Sequence, residues 1–306
     1  MDGAAWFITA FLAAGMVVFF ALSFVPAVAR WSALRSAVAI GVPIPARLEH
    51  TVSRRLMARQ RGGSAGGLAF VVLATIAFQF DLGATDDPRT VVWFIAGSAL
   101  AGIGSGTAIA ALTASSRAAG DEPRVARSNA VTVADYLSPL ERIGTRAIVI
   151  VAIVAAVCGA VLVPSAASGA RAPMVLFAVL AVASLALFEV SSRRIIALPQ
   201  PAGSTAELVW DDAVRVSSLR DMLAAPVAFG LNSVVLGIAA LVQTAVEISP
   251  SDGANLLGIS TPFALIALTL YSRAAYPQRY FLRRLWPKLR WSDTADEQSP
   301  AATDAV

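Results

Sequence analysis

Residues Val91 to Thr113 read VVWFIAGSALAGIGSGTAIAALT, 23 residues without a charge. An α-helix rises about 1.5 Å per residue, so a run of this length crosses a hydrocarbon core of about 30 Å. Ser98, Gly102, Gly106 and Ala110 recur every four residues and give the helix one face of small side chains. Gly102 and Gly106 form a GxxxG pair, the spacing that lets a second helix approach backbone to backbone. The stretch reads as the central packing helix of a multi-pass membrane protein.

The chain around it has the same character. Its 306 residues are 57% hydrophobic and 14% charged, with a mean hydropathy of +0.69. A soluble domain carries about 25% charged residues. Seven segments have the length and composition of spans: about 5–27, 66–83, 91–113, 147–164, 173–191, 225–246 and 255–275. The predicted fold class is an all-α polytopic bundle, one transmembrane domain over 1–275. A basic aromatic juxtamembrane segment (276–291) and a polar tail expected to be disordered (292–306) follow. The first segment is expected to stay on the chain: Met1-Asp2-Gly3 carries no positive charge and the apolar run is too long for a signal peptide.

Charge assigns an orientation. Segments 28–65, 114–146, 192–224 and 273–306 hold 7, 5, 4 and 6 basic residues, whereas the intervening loops hold only Arg89 and Arg171. The positive-inside rule then places the N-terminus outside and the C-terminus in the cytoplasm. Trp6 and Trp93 fall near the expected outer surface, and Trp31, Tyr276, Tyr280 and Trp286 near the inner one. The layout also suggests a repeat. Pro45, Pro123 and Pro201 lie at steps of 78 residues, and Val42-Pro43-Ile44-Pro45-Ala46 resembles Leu198-Pro199-Gln200-Pro201-Ala202 in pattern.

The cytoplasmic loops are patterned as amphipathic helices. Ile44, Leu48, Val52 and Leu56 recur every four residues, with Arg54, Arg55 and Arg59 on other faces. Val131, Val133, Leu137 and Leu140 give a weaker stripe, interrupted by Pro139. In the third loop, Ser204 and Glu207 have capping-box spacing, ahead of a stripe of Val209, Ala213, Val216, Leu219 and Leu223. Asp211 and Arg215 can pair across one turn. Such helices lie flat on anionic lipid or dock a cytoplasmic partner, and Val209, Val216 and Leu219 are the candidate docking residues. In the tail, Arg283, Arg284 and Lys288 alternate with Phe281, Leu285 and Trp286, a surface anchor on anionic lipid rather than a nucleic-acid site.

Chemistry-bearing residues are few. One cysteine (Cys158) and one histidine (His50) exclude a disulfide framework and a thiol or imidazole metal cluster within one copy, and the place of His50 in a basic loop argues against a Ser-His-Asp triad within the membrane. Gly102-Ile-Gly104-Ser-Gly106 lacks the spacing of a phosphate-binding loop. No catalytic residue, metal ligand or cofactor is assigned. Asn232 stands within a span beside Ser233, and an amide there needs partners. Ser98, Ser105 and Thr107 are the candidates, in an interhelical clasp or along a substrate path. Glu189 is expected to pair with Arg193, and Asp81 to lie in water at a span end. Pro262, after Ser260 and Thr261, predicts a kink. Asp211 and Asp212, with Asp135, Glu141, Glu207 and Asp221 on the same side, leave a Mg²⁺ site of a lipid-phosphate enzyme as an alternative.

These features favour a membrane subunit of a transport system working with a cytoplasmic partner, such as an ATPase. A scaffold or regulator is the first alternative and the lipid-phosphate enzyme the second. Arginine and alanine richness suggests a bacterial cell membrane. The expected partners are the bilayer and that cytoplasmic protein; substrate and oligomeric state are not encoded in any motif.

Overall fold

Proline and glycine punctuate the apolar runs and set the helix ends. The computed structural model describes residues 3–79, 88–116, 131–162, 171–198, 200, 204–245 and 280–287. Every regular element among them is helical. Helix α1 spans Gly3–Leu22 and α2 spans Pro26–Ile40, with their axes bent by 94°. Pro26 cannot donate an amide to α1, and it holds Val25 extended at φ −85°, ψ 116°. The predicted span 5–27 is therefore broken at residues 23–25 rather than continuous. Gly41, at φ 77°, closes α2 in the left-handed conformation, and its amide bonds to Ala37 O.

A 3₁₀ turn at Ala46–Leu48 leads into α3 (Glu49–Gln79). Helix α4 spans Pro88–Ser116, the short α5 Val133–Tyr136 and α6 Pro139–Leu162. Then follow α7 (Arg171–Ala197), α8 (Thr205–Ala245) and α9 (Tyr280–Leu285). Pro139 begins α6 instead of interrupting a loop helix, as its missing amide costs nothing in a first turn. The expected loop helices at 44–56 and 204–223 are not separate elements, and Ile44 and Leu48 of the first precede α3. Each is the N-terminal part of a longer helix, α3 or α8, that runs on into an apolar segment. Both helices start four residues after the matched prolines, Pro45 and Pro201.

Among the described residues, four helices contain segments long and apolar enough to cross a membrane: Phe94–Thr113 in α4, α6, α7, and Thr205–Val242 in α8. The bent pair α1–α2 adds a fifth if it is counted as one broken span. Residues 255–275, including Pro262, Ser260 and Thr261, lie outside the described residues, as do Asp81 and the tail beyond 287. Two helices are internal. The apolar segment of α8 is 67% buried and that of α4 50%, against 28% for α6 and α7. Val154, Val157, Val179 and Val190 face outward from α6 and α7, as lipid-facing side chains would.

Glycine explains the position of α4. It runs antiparallel to α3, with Gly102 on Gly66 and Gly106 on Gly62, and a Cβ at either α4 glycine would collide with the opposing carbonyl oxygen. The GxxxG pair on α4 is thus met by a second one, Gly62 and Gly66. The other side of α4 approaches α8: a Cβ on Gly104 would lie 2.9 Å from Met222 Cα, and one on Gly97 would strike the Phe229 ring. The extra glycine of Gly-Ile-Gly-Ser-Gly therefore serves a second interface.

Candidate functional site

The N-terminal half of α8 carries Glu207, Asp211, Asp212, Arg215, Arg220 and Asp221. Adjacent helical positions point about 100° apart, so one helix can address several neighbours. Asp211 accepts from Arg55 of α3 at 3.2 Å and from Arg215 at 3.1 Å, the predicted one-turn pair. Glu207 also meets Arg55, at 3.3 Å, and its amide bonds to Ser204 Oγ at the helix start. Arg215 turns its remaining donors to Ile196 O and Leu198 O, which closes the end of α7. Arg59 of α3 bonds Asp221 and Ser217 O.

The other acidic groups face elsewhere. Asp212 is fully buried and accepts from Tyr136 Oη (2.9 Å), Gln200 Nε2 (2.7 Å) and Trp286 Nε1 (2.9 Å). Glu141, also fully buried, pairs with Arg220 at 2.7 Å and accepts from Ser138 N. A buried carboxylate is tolerable only when bonded in this way. These carboxylates do not converge. Among the described residues no three His, Cys, Asp or Glu side chains group as metal ligands. The Mg²⁺ alternative therefore lacks a clustered donor set there.

Around this polar half lies the largest apolar cluster. Val209, Val216 and Leu219 are buried in it, with Trp210, Tyr136 and Phe281. The stripe suggested for partner docking is thus buried in the chain's own cluster, which also takes side chains from α3, α4, α5, α7 and α9, and an incoming helix would have to displace some of them. Residues 280–286 are similarly reassigned: Phe281 is buried, Tyr280 Oη donates to Ala134 O, and Trp286 serves Asp212. This part of the tail packs on the bundle through Phe281, Tyr280 and Trp286, and it leaves Arg283 and Arg284 exposed. A cavity of about 50 Å³ remains between Arg55, Arg59, Asp211, Arg215 and Ser218. It can hold a few waters, not an organic substrate.

Deeper in α8, Asn232 is buried, but its amide donates to Ala228 O of its own helix at 2.8 Å. Ser105 and Thr107 bond Ala101 O and Gly104 O within α4, and Ser98 is buried. The expected Asn232 clasp is therefore not formed through Ser105 or Thr107. Its neighbour forms the clasp: Ser233 Oγ lies 3.0 Å from Met174 O of α7 and 3.3 Å from Ala152 O of α6. Glu189 pairs with Arg146 of α6, not with Arg193.

Sequence reasoning missed Ser233, Arg55 and Gly62–Gly66 as a set. Spacing alone could have flagged the second GxxxG, but nothing local marks Arg55 as the partner of α8. Neither a family model, nor a curated protein, nor a solved structure matches the chain.

Proposed function

We propose that the chain is a membrane subunit of a transport system, coupled to a cytoplasmic partner such as an ATPase. One observation carries this reading: α8 is a single helix from Thr205 to Ala245, with its charged half bonded to α3, α6 and α9 and its apolar half inside the bundle. A shift at the polar end would reach Asn232 and Ser233 through Pro226, whose missing amide gives the helix a point of bending. The divergent carboxylates favour this reading over lipid-phosphate chemistry. The covered stripe moves the docking surface away from Val209, Val216 and Leu219.

The same proposal includes seven spans, an outer N-terminus, a cytoplasmic C-terminus and a bacterial cell membrane.

Purification from native membranes in mild detergent tests the proposal. A stoichiometric nucleotide-hydrolysing partner, whose turnover falls when Arg55→Ala breaks the α3–α8 contact, is the expected result. Recovery of the chain alone would overturn it.

A further inference from the structure

The elbow between α1 and α2 frames an open recess of about 530 Å³ against the start of α3. Arg30, Arg54, Arg61, His50 and Glu49 line it, so three arginines face one carboxylate. Arg30 pairs with Glu49 at 2.8 Å on the exposed rim. Arg61 is committed to the elbow, donating to Ser23 O at 2.9 Å while its guanidinium stacks 3.9 Å over the Phe24 ring. No carboxylate of the described residues forms an ion pair with Arg54, which is exposed. The remaining wall is mainly apolar, with Phe24 and Met57, and also carries Ser23 and Ser53.

Helix α2 adds an independent observation. Its small residues Ala29, Ala33 and Ala37 pack inward. Trp31, Leu34 and Val38 form a stripe that is 59%, 54% and 80% exposed. Arg30 and Arg35 flank that stripe on either side by helical geometry. Such an apolar face with arginine borders and a tryptophan suits the headgroup boundary of a bilayer. The recess thus opens where a lipid phosphate and its first acyl carbons would lie, cation beside apolar wall.

We propose that this recess binds the phosphate of an anionic glycerophospholipid, with Arg54 and Arg30 as ligands and Phe24 and Met57 against the acyl chain. The proposal rests on the membrane reading and not on transport.

Native mass spectrometry of the full chain, released from nanodiscs of equal phosphatidylglycerol and phosphatidylcholine, tests it. The wild type should retain phosphatidylglycerol selectively. Arg30→Ala with Arg54→Ala should weaken retention about tenfold or more, since each basic residue near the surface contributes roughly fivefold. Arg54→Lys should keep most of it, and the charge-matched control Arg193→Ala with Arg194→Ala should change nothing. Equal retention of the two lipids, or an equal loss in the control, would overturn the site. Competition by free glycerol phosphate as strong as by the lipid would overturn the lipid as its ligand. If the double variant does not fold, Arg54→Ala alone carries the comparison.

Discussion

Gly66 of α3 and Gly102 of α4 meet with no side chain between them: a Cβ on Gly102 would fall on the Gly66 carbonyl oxygen. The two helices can be this close only because both positions are glycine. Gly102→Ala should therefore destabilise the protein by about 1–3 kcal/mol, the usual cost of overpacking. Gly15→Ala is the internal control, because nothing lies within 4 Å of its added methyl. It should be neutral or stabilise by up to about 1 kcal/mol through helix propensity. Thermal unfolding in one detergent checks both; equal effects would refute the close-approach account.

Asp212 gathers Tyr136, Gln200 and Trp286 onto α8. Asp212→Ala leaves these donors without their acceptor and should cost about 2–4 kcal/mol. It should also release α9, seen as faster proteolysis after Arg283 and Arg284. Asp212→Asn retains one acceptor and should lose less. Unchanged cleavage in Asp212→Ala would show that α9 is held without Asp212, by Phe281 packing and the bonds to Ala134 and Asp135.

Arg55 bridges α3 to Glu207 and Asp211 with all three side chains about one-fifth exposed. Partial solvent screening lowers its worth, and a coupling energy of about 1 kcal/mol is expected from a double-mutant cycle of Arg55→Ala with Glu207→Ala. A coupling near zero would reduce the pair to an incidental contact.

Ser233 and Asn232 are adjacent yet should behave differently. Ser233→Ala removes the bond to α6 and α7 and should cost about 0.6 kcal/mol, the mean for interhelical bonds in membranes. It should also increase cysteine accessibility at Cys158 of α6. Asn232→Ala removes only a bond within α8, so Cys158 labelling should stay at the wild-type rate. Equal labelling of the two variants would overturn the assignment of the clasp to Ser233.

Asp135 supplies a pH dependence. Burial raises its carboxyl pKa, but the Thr132 amide and hydroxyl and the Arg284 guanidinium outweigh this and hold it below the usual carboxylate range. A depressed native pKa means stability that is present above the unfolded value of about 3.9 and lost as pH falls through the native one. Asp135→Asn should therefore narrow the stability gap measured between about pH 5 and about pH 3. An unchanged gap would mean that other carboxylates carry it.

The sequence by itself determined that the chain is helical and apolar enough for a membrane, that α4 has a small face, and that Asp211 pairs with Arg215. Each of these depends on composition or on spacing of three to seven residues, which one helix enforces without help. Tertiary structure decided the rest. Hydrophobic periodicity reports that a face is buried but not by what. The stripe of Val209, Val216 and Leu219 read as facing lipid or a partner, whereas the folded chain buries it in its own apolar cluster. Likewise, Asn232 and Ser233 differ by one position, about 100° around α8. Only the placement of Met174 and Ala152 gave the clasp to the serine. Arg55 and Glu207 stand 152 residues apart, and no local pattern can pair groups that meet only after helices fold together.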